Sequence, residues 1–481
     1  MERQISNPMD IVAKKRDCVT DEGYSSFSDC VFMHSGPVNC SVASQIVSEL
    51  LLYILGFLES DALSRASRVN RHWRVNALHV LWRYPQLKTE ASILHFAAQI
   101  SQPLPFDSFN YGSYGGLVRQ LDLGRVRLQQ NVHSAVLNQI SQCCVNLQSL
   151  RLWCESLDLA MLQKIVTASP SLSSLVVAGH LRPCFDACNS SLEGFSAAIQ
   201  RLQKLDVDVG FDGDAGRNQL VSLVIRNAGP QMKALRLVGA DSDEQVSHVL
   251  QKCPQLTSLI FRWAAVTEAS VLQIAEYCAE LRLLDLRGCK QAVTAQSLAA
   301  VFKRCSKLEA IDISFIGSCD SIIDAIVTNA TGTSLHTIFL DGCKCSELSL
   351  MRLMARFGQS LQVLSISWFE GSLSDSSIRF ISTHCPNLTK LDIRGSNGSA
   401  SVLGELVRRC KRLRILKWGD ERGLQARDRH ETSNLVAHNN PTNISSTAEV
   451  VKSGWSTDSF LELLKFRFPS KEMIIFPDLF V

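Results

Sequence analysis

The chain has 481 residues, 46% of them apolar and 20% charged, the composition of a folded globular protein. A net charge of +3 gives no argument for nucleic acid, and no basic run of the kind that tracks phosphates stands out. The most apolar run, Leu50 to Leu58, is too short to span a bilayer, so neither a nucleic-acid nor a membrane partner is expected. Seventeen cysteines are an odd number for a disulfide framework. Met1 to Asp17 mix acids and bases with no apolar core, unlike a signal peptide, so reduced thiols of the cytoplasm or nucleus are expected.

Residues 1–42 are polar and without period and read as a disordered tail. Within them, Asp21-Glu22-Gly23-Tyr24-Ser25-Ser26 is similar to a phosphorylation-dependent Asp-Ser-Gly degron, with Glu22 at the first phosphoserine position. A different pattern runs through residues 43–90. Leu50, Leu51, Ile54, Leu55 and Leu58 recur at three- and four-residue spacing, which predicts a helix with a broad apolar face, capped by Ser48. Ser60 and Asp61 open a second helix with Leu63, Ala66 and Val69 inward. A third runs through Trp73, Ala77 and Val80 to Trp82, and Pro85 closes it. Three helices in so short a stretch make a core too small to stand alone, so this unit is expected to dock on something.

The same stretch carries Ile46-Val47-Ser48-Glu49-Leu50-Leu51, Asp61-Ala62-Leu63, Val69-Asn70-Arg71-His72-Trp73 and Leu81-Trp82-Arg83. It resembles the F-box, whose pattern is Leu-Pro-x-Glu-Leu-Leu, a helical Ile/Leu run, Asp-Leu, Val-Cys-Arg-x-Trp and Leu-Trp. Ile46-Val47 replaces Leu-Pro, and Asn70 replaces Cys. The resemblance implies binding to a Skp-type adaptor through Ile46, Glu49, Leu50, Leu51, Ile54, Leu58, Leu63, Trp73 and Trp82. The alternative is an unrelated three-helix bundle. Residues 91–116 are read as a linker. Arg83 to Thr89 and the aromatic and proline stretch after them are similar to the linker of fungal members.

From 117 to 419 a motif L-x-x-L-x-L recurs, starting at Leu117, Leu147, Leu172, Leu202, Met232, Leu256, Leu281, Leu308, Leu335, Leu361, Leu388 and Leu413. The twelve starts lie 24 to 30 residues apart, a period that predicts a stacked solenoid. Each repeat is read as a short strand, such as Leu284-Asp285-Leu286, followed by a helix, such as Thr267 to Cys278 or Ala295 to Cys305. Cys144, Cys253, Cys278, Cys305, Cys385 and Cys410 each stand three residues before a repeat start, as packing residues at a crowded helix end. By motif and phase this resembles the cysteine-containing leucine-rich repeats of F-box proteins. The fold class is then α/β: a three-helix F-box followed by a curved solenoid with a parallel concave sheet and convex helices.

Strand side chains alternate between faces, so every second one is projected onto the concave side. Arg236, Arg262 and Arg287 then fall on adjacent repeats beside Trp263, with Phe339 and Arg394 further along the same face. Guanidinium groups next to an aromatic ring suit a phosphorylated or acidic protein substrate. The plainer alternative pairs the arginines with Asp285 and Asp312. Cys184 and Cys188 with His180, and Cys343 with Cys345, fall short of a zinc set, so neither metal nor cofactor is expected. Residues 420–455 read as a polar linker and 456–481, with amphipathic Phe460 to Phe466, as a cap or tail.

No catalytic motif appears. The resemblance therefore implies a non-catalytic substrate receptor of a Skp-cullin-F-box ubiquitin ligase. It would bind the adaptor directly, the cullin and RING subunit indirectly, and its substrate on the concave face. An interaction scaffold outside any ligase, and an enzyme with its site in a repeat loop, are the alternatives.

Overall fold

A computed structural model describes residues 46–419, except 105–111, 125–129, 183–188, 210–214, 238–242, 265, 331–334, 368–372 and 397. The tail motif at 21–26, Cys184 and Cys188, and the segments 420–455 and 456–481 lie outside the described residues. The chain divides into two compact units, one reaching Ala198 and taking in Asp212–Arg217, the other formed by Ile199–Phe211 and the chain from Asn218. Among the described residues no helix is long and apolar enough to cross a membrane.

The first unit opens with α1 (Ser48–Leu55), α2 (Ser60–Ala66) and α3 (Arg71–Arg83). Ser48 is the first helical residue of α1, not its cap; Val47 precedes it in extended conformation and offers no side-chain hydrogen bond. His72 Nε2, donating to the Ile46 carbonyl at 2.8 Å, ties this uncapped start to α3 instead. Asn70 caps α3 by accepting from Trp73 N at 2.9 Å, which explains why Asn serves at a position where the family pattern has Cys. Leu51, Leu55, Leu63, Ala66 and Ala77 form the core between the three helices, and Ile46, Trp73, Val80 and Leu81 pack against it.

Next come α4 (Glu90–Ile100), opened by a Thr89–Ser92 capping box, and a 3-10 turn at Tyr114–Leu117. Trp82 stacks on Phe96 at 6.0 Å and leans on Tyr114 at 4.7 Å. These two contacts fasten α3 to α4 and to the 3-10 turn within the same unit. Strands β1 (Gln120–Leu123), β2 (Ser149–Asp158) and β3 (Ser174–Arg182) then pair in parallel. Helices α5 (Gln130–Cys143) and α6 (Leu159–Ala168) connect them, and α7 (Asn189–Arg201) comes after β3.

The second unit carries nine parallel strands: β4 (Lys204–Val209), β5 (Ala234–Leu237), β6 (Ser258–Ile260), β7 (Leu283–Asp285), β8 (Ala310–Asp312), β9 (Thr337–Phe339), β10 (Val363–Ser365), β11 (Lys390–Arg394) and β12 (Ile415–Gly419). Between them run α8 (Ala215–Asn227), α9 (Asp243–Lys252), α10 (Glu268–Tyr277), α11 (Ala295–Arg304), α12 (Asp320–Asn329), α13 (Glu347–Phe357), α14 (Asp375–His384) and α15 (Ala400–Arg409). Every strand in both units begins two or three residues after one of the motif starts. Apolar residues stack in register through the unit: Leu205, Leu235, Leu259, Leu284, Ile311, Ile338, Leu364, Leu391 and Leu416. Each repeat covers the apolar side of its neighbour, which is why the period in the sequence has to be kept.

Cys278, Cys305, Cys385 and Cys410 stand at helix C-caps and are fully buried. Their thiols bridge repeats: Cys305 Sγ donates to the Cys278 carbonyl at 3.3 Å, and Cys410 Sγ to the Cys385 carbonyl at 3.5 Å. Burial pushes Cys278 and Cys385 up to about 12 and Cys305 and Cys410 up to about 11. They therefore stay thiols at neutral pH and have no nucleophilic character.

The helix layer is held by a relay of carboxylates. Asp243 accepts from Thr267 N at 2.8 Å, Asp320 from Ser346 N, Glu347 from Ser374 N and Asp375 from Ser399 N, all at 2.8 Å. Glu268 accepts in the same way from the Thr294 hydroxyl. An acid in the first turn of one helix thus satisfies the first turn of the next. Hydrogen bonds from Ser349 and Ser346 hold Asp320 below the usual carboxylate range. Burial works against ionisation of Asp243 and Glu347, but hydroxyl and amide donors outweigh it and lower both.

Candidate protein-binding surfaces

Helix α1 has the sequence SELLLYIL, apolar at every position after Glu49. Its inner side, Leu51 and Leu55, is fully buried against α2 and α3. The other side is bare: Leu50 is 52% exposed and Tyr53 68%, with Ile54 beside them. Val47 before the helix is 61% exposed, and Phe57 and Leu58 after it 73% and 37%. Tyr53 and Phe57 meet edge to face at 5.0 Å, so the patch includes an ordered aromatic pair. A contiguous apolar surface of this kind on a small helical unit marks a docking face.

Leu50, Ile54 and Leu58 of the expected adaptor contacts lie on this face, with Glu49 exposed at its start. Leu51, Leu63 and Trp82 do not: they are buried, Trp82 being held by Phe96 and Tyr114. Ile46 and Trp73 are half-buried on the core. Val47, Tyr53 and Phe57, not among the expected contacts, are exposed on the same segment. For Tyr53 the signal was present in α1, because every residue of the helix after Glu49 is apolar, more than a single core can cover.

The strand face of the second unit differs from its projection. In register across it stand Asp206, Arg236, Ile260, Asp285, Asp312, Phe339, Ser365, Asp392 and Lys417. All but Lys417 are buried. Arg262 Nε donates to Asp285 Oδ2 at 2.6 Å, Arg236 pairs with Asp206 at 3.7 Å, and Arg287 with Asp312 at 3.7 Å. Arg236, Arg262, Arg287 and Phe339, projected onto the open face, are therefore buried. Neighbouring strands lie only about 4.8 Å apart, so each long guanidinium folds over the acid of an adjacent repeat. Arg394 pairs with Asp392 through two bonds of 2.9 Å and stays partly exposed.

Asp312 shows what this packing costs. Burial, and then the charge of Asp285 beside it, raise its carboxyl to about 7, against the opposing pull of Arg287 and Arg262.

The open chemistry lies three residues beyond the strands. Trp263, Gly288, Phe315 and Gly342 occupy equivalent positions in successive repeats, all with positive φ: 52°, 74°, 60° and 60°. That conformation is strained for Trp and Phe. The glycines make room for the rings: a Cβ on Gly288 would lie 2.2 Å from the Trp263 ring, and one on Gly342 2.5 Å from Phe315. Trp263 and Phe315 stand 5.8 Å apart, and the Arg287 guanidinium lies 4.8 Å over Phe315. Trp263 remains 44% exposed. Of the expected substrate residues, the fold thus brings Trp263 and Arg287 together and adds Phe315. The alternation Trp263, Gly288, Phe315, Gly342, Trp368, Gly395 at one repeat phase is its sequence signal, with Trp368 outside the described residues. Among the described residues no group of His, Cys, Asp or Glu side chains is arranged to hold a metal ion.

Residues 48–88 match the F-box-like family. Among curated relatives, the Candida glabrata protein "Antagonist of mitotic exit network protein 1" is 27% identical over 164 residues, covering 33% of this chain and 32% of that protein. The Arabidopsis thaliana "F-box protein SKIP1" is 24% identical over 242 residues, covering 50% of this chain and 72% of that protein. The match therefore spans about a third of the first relative's length. Among solved structures, a chain of the yeast complex of Rad7 and Elc1 is similar, with 16% identity, a TM-score of 0.42, and coverage of 74% of this chain and 94% of that one.

Proposed function

We propose that this protein is the substrate-recognition subunit of a Skp-cullin-F-box ubiquitin ligase, working in the cytoplasm or nucleus. The observation that carries the reading is the bare apolar face of α1, on a segment that matches the F-box-like family. In this reading Val47, Leu50, Tyr53, Ile54, Phe57 and Leu58 enter the adaptor, which brings cullin and RING subunit with it. The repeats, with their buried C-cap cysteines, are of the cysteine-containing leucine-rich type, and the linker after α3 fits a fungal member.

A protein substrate is held at Trp263 and Phe315, with the partly exposed Arg394 further along the same face; Arg287, buried and paired with Asp312, packs against Phe315 and supports that site without meeting the substrate. The protein makes and breaks no bond. It raises the local concentration of a substrate lysine beside the thioester of the conjugating enzyme.

The test is co-purification with adaptor and cullin. Wild-type protein is expected to recover both, and a Leu50→Asp, Phe57→Asp variant to lose both while still melting as wild type does, since neither side chain is in the core. Failure of the wild-type protein to recover the adaptor would overturn the reading. The replacement of Leu-Pro by Ile46-Val47 favours a second reading, an interaction scaffold outside the ligase, and that failure is the result it expects.

A further inference from the structure

Seven residues after a motif start, the backbone takes a conformation that suits glycine. Gly288, Gly342 and Gly395 adopt it with φ of 74°, 60° and 81°. Trp263 and Phe315 hold it at 52° and 60°, where a side chain costs stability that glycine would not. Burial does not explain why aromatic residues stand there, because Trp263 is 44% exposed and Phe315 is partly exposed. Two strained rings left open to solvent point to a contact outside the chain.

The charges around the rings select the chemistry of that contact. The turns 263–266, 288–293, 315–319 and 342–345 contain two charged residues, Lys290 and Lys344, and no acid. Both lysines are exposed, each two residues after the glycine of its repeat. Ring and ammonium therefore alternate over four successive repeats: Trp263, Lys290, Phe315, Lys344. The turns stay side by side beyond the strands, since Gly288 N donates to the Ser314 carbonyl at 2.9 Å and Lys344 N to the Gly317 carbonyl at 2.8 Å. The acids that follow these turns are engaged already: Glu268 accepts from the Thr294 hydroxyl, Asp320 from Ser346 and Glu347 from Ser374.

A phosphate would call for guanidinium forks. Arg262 and Arg287, the forks nearest the rings, are buried and paired with Asp285 and Asp312. The two ammonium groups that remain are point charges, each suited to one carboxylate. Lys290 and Lys344 lie two repeats apart, about 10 Å at the usual strand spacing, which an extended segment covers in about three residues.

We propose that this patch binds an extended, unphosphorylated acidic segment of the substrate protein: apolar side chains lie on Trp263 and Phe315, between two carboxylates about three residues apart that meet Lys290 and Lys344. Lys290 and Lys344 are then specificity-determining residues, an assignment that rests on the substrate lying at Trp263 and Phe315. A single strand of nucleic acid fits less well. Its phosphates recur at every nucleotide and need a continuous cationic track, whereas two cations stand here and Arg287 already covers one face of Phe315.

The experiment titrates the full-length protein into a fluorescent peptide with a Glu-Leu-Leu-Glu core and Gly-Ser flanks, at low and high salt. The peptide is expected to bind in a salt-sensitive manner. The double variant Lys290→Gln, Lys344→Gln should weaken it about tenfold or more. Trp263→Asn should do the same without lowering the melting temperature, because Asn tolerates positive φ. Equal binding of a Gln-Leu-Leu-Gln peptide would overturn the role of the lysines, and equal binding of Glu-Gly-Gly-Glu that of the rings. Binding about tenfold tighter when phosphoserine replaces both acids would overturn the choice of carboxylate. Tighter binding of a single-stranded oligonucleotide would overturn the choice of partner. No binding of the Glu-Leu-Leu-Glu peptide overturns the proposal, and carbodiimide cross-links from Lys290 or Lys344 to acids of 1–45 or 420–481 would then assign the patch to the chain's own segments. Adaptor recovery, measured on the same samples, is expected to be unchanged in every variant; its loss from the wild-type protein would overturn the receptor reading while the peptide titration still decides what the patch binds.

Discussion

Replacing Arg262 by Met separates a structural arginine from a recognition arginine. Its side chain is 5% exposed and that of its partner Asp285 is 0% exposed, with Nε and Oδ2 2.6 Å apart. Met keeps most of the volume and removes the charge. Asp285 keeps its hydrogen bond from Arg287 N at 3.1 Å but loses the guanidinium, while Asp312 stands beside it in register. Two buried carboxylates then share Arg287. Breaking a buried pair from one side costs about 3–5 kcal/mol, because a charge is left uncompensated. The double variant Arg262→Met, Asp285→Leu removes both charges and is expected to recover about 2 kcal/mol or more of that loss. Urea unfolding followed by tryptophan fluorescence, read as a double-mutant cycle, measures both quantities. A cost for Arg262→Met below about 0.5 kcal/mol, the range of an ordinary surface change, would refute the reasoning. The same logic warns against charge reversal here: Arg262→Glu would lose partner binding by unfolding the repeats.

Three further outcomes are expected. Leu55→Ala, in the core of the N-terminal helices, should destabilise them by about 2–5 kcal/mol, whereas Phe57→Ala should leave the melt unchanged and weaken adaptor binding by about 2 kcal/mol, roughly thirtyfold; calorimetric titration and thermal melts read the two, and equal effects on both would contradict the division of α1 into two faces. Gly288→Ala forces a Cβ into the Trp263 ring at positive φ, so it should cost about 1–3 kcal/mol and red-shift the tryptophan emission; in a Trp263→Ala background the cost should fall to the backbone part alone. The third concerns pH. Asp312 has its folded pKa raised to about 7, so its contribution to stability is full below the ordinary carboxylate range and is lost as pH rises through about 7. Asp243, Asp320 and Glu347 are lowered, so theirs is present above that range and lost as pH falls below it. Asp312→Asn should therefore flatten the decline in stability between the carboxylate range and pH 7 and leave the acid limb in place; an unchanged profile from urea melts across pH would sink the assignment.

The repeat is legible in the sequence, because a leucine that seals one unit against the next must recur at the period of the stack. Every motif start therefore has its strand two or three residues later. The sequence also shows the cysteine positions, since a helix end crowded by the preceding repeat accepts a small apolar group that can donate to a carbonyl, as Cys305 does to Cys278. It placed Leu50, Ile54 and Leu58 on one apolar run, but spacing could not say which face of a helix apolar at every position after Glu49 the core would take. Leu51 and Trp82 went inward because α2, α3, Phe96 and Tyr114 stand there. The strand face was decided in the same way. Asp285 and Arg262 are 23 residues apart in the chain, and only the pairing of β6 with β7 brings them within 2.6 Å. Local pattern fixes which way a side chain starts out from its strand. Whether it ends in solvent depends on the charge and size of residues one repeat away, and that is settled only when the strands are laid side by side.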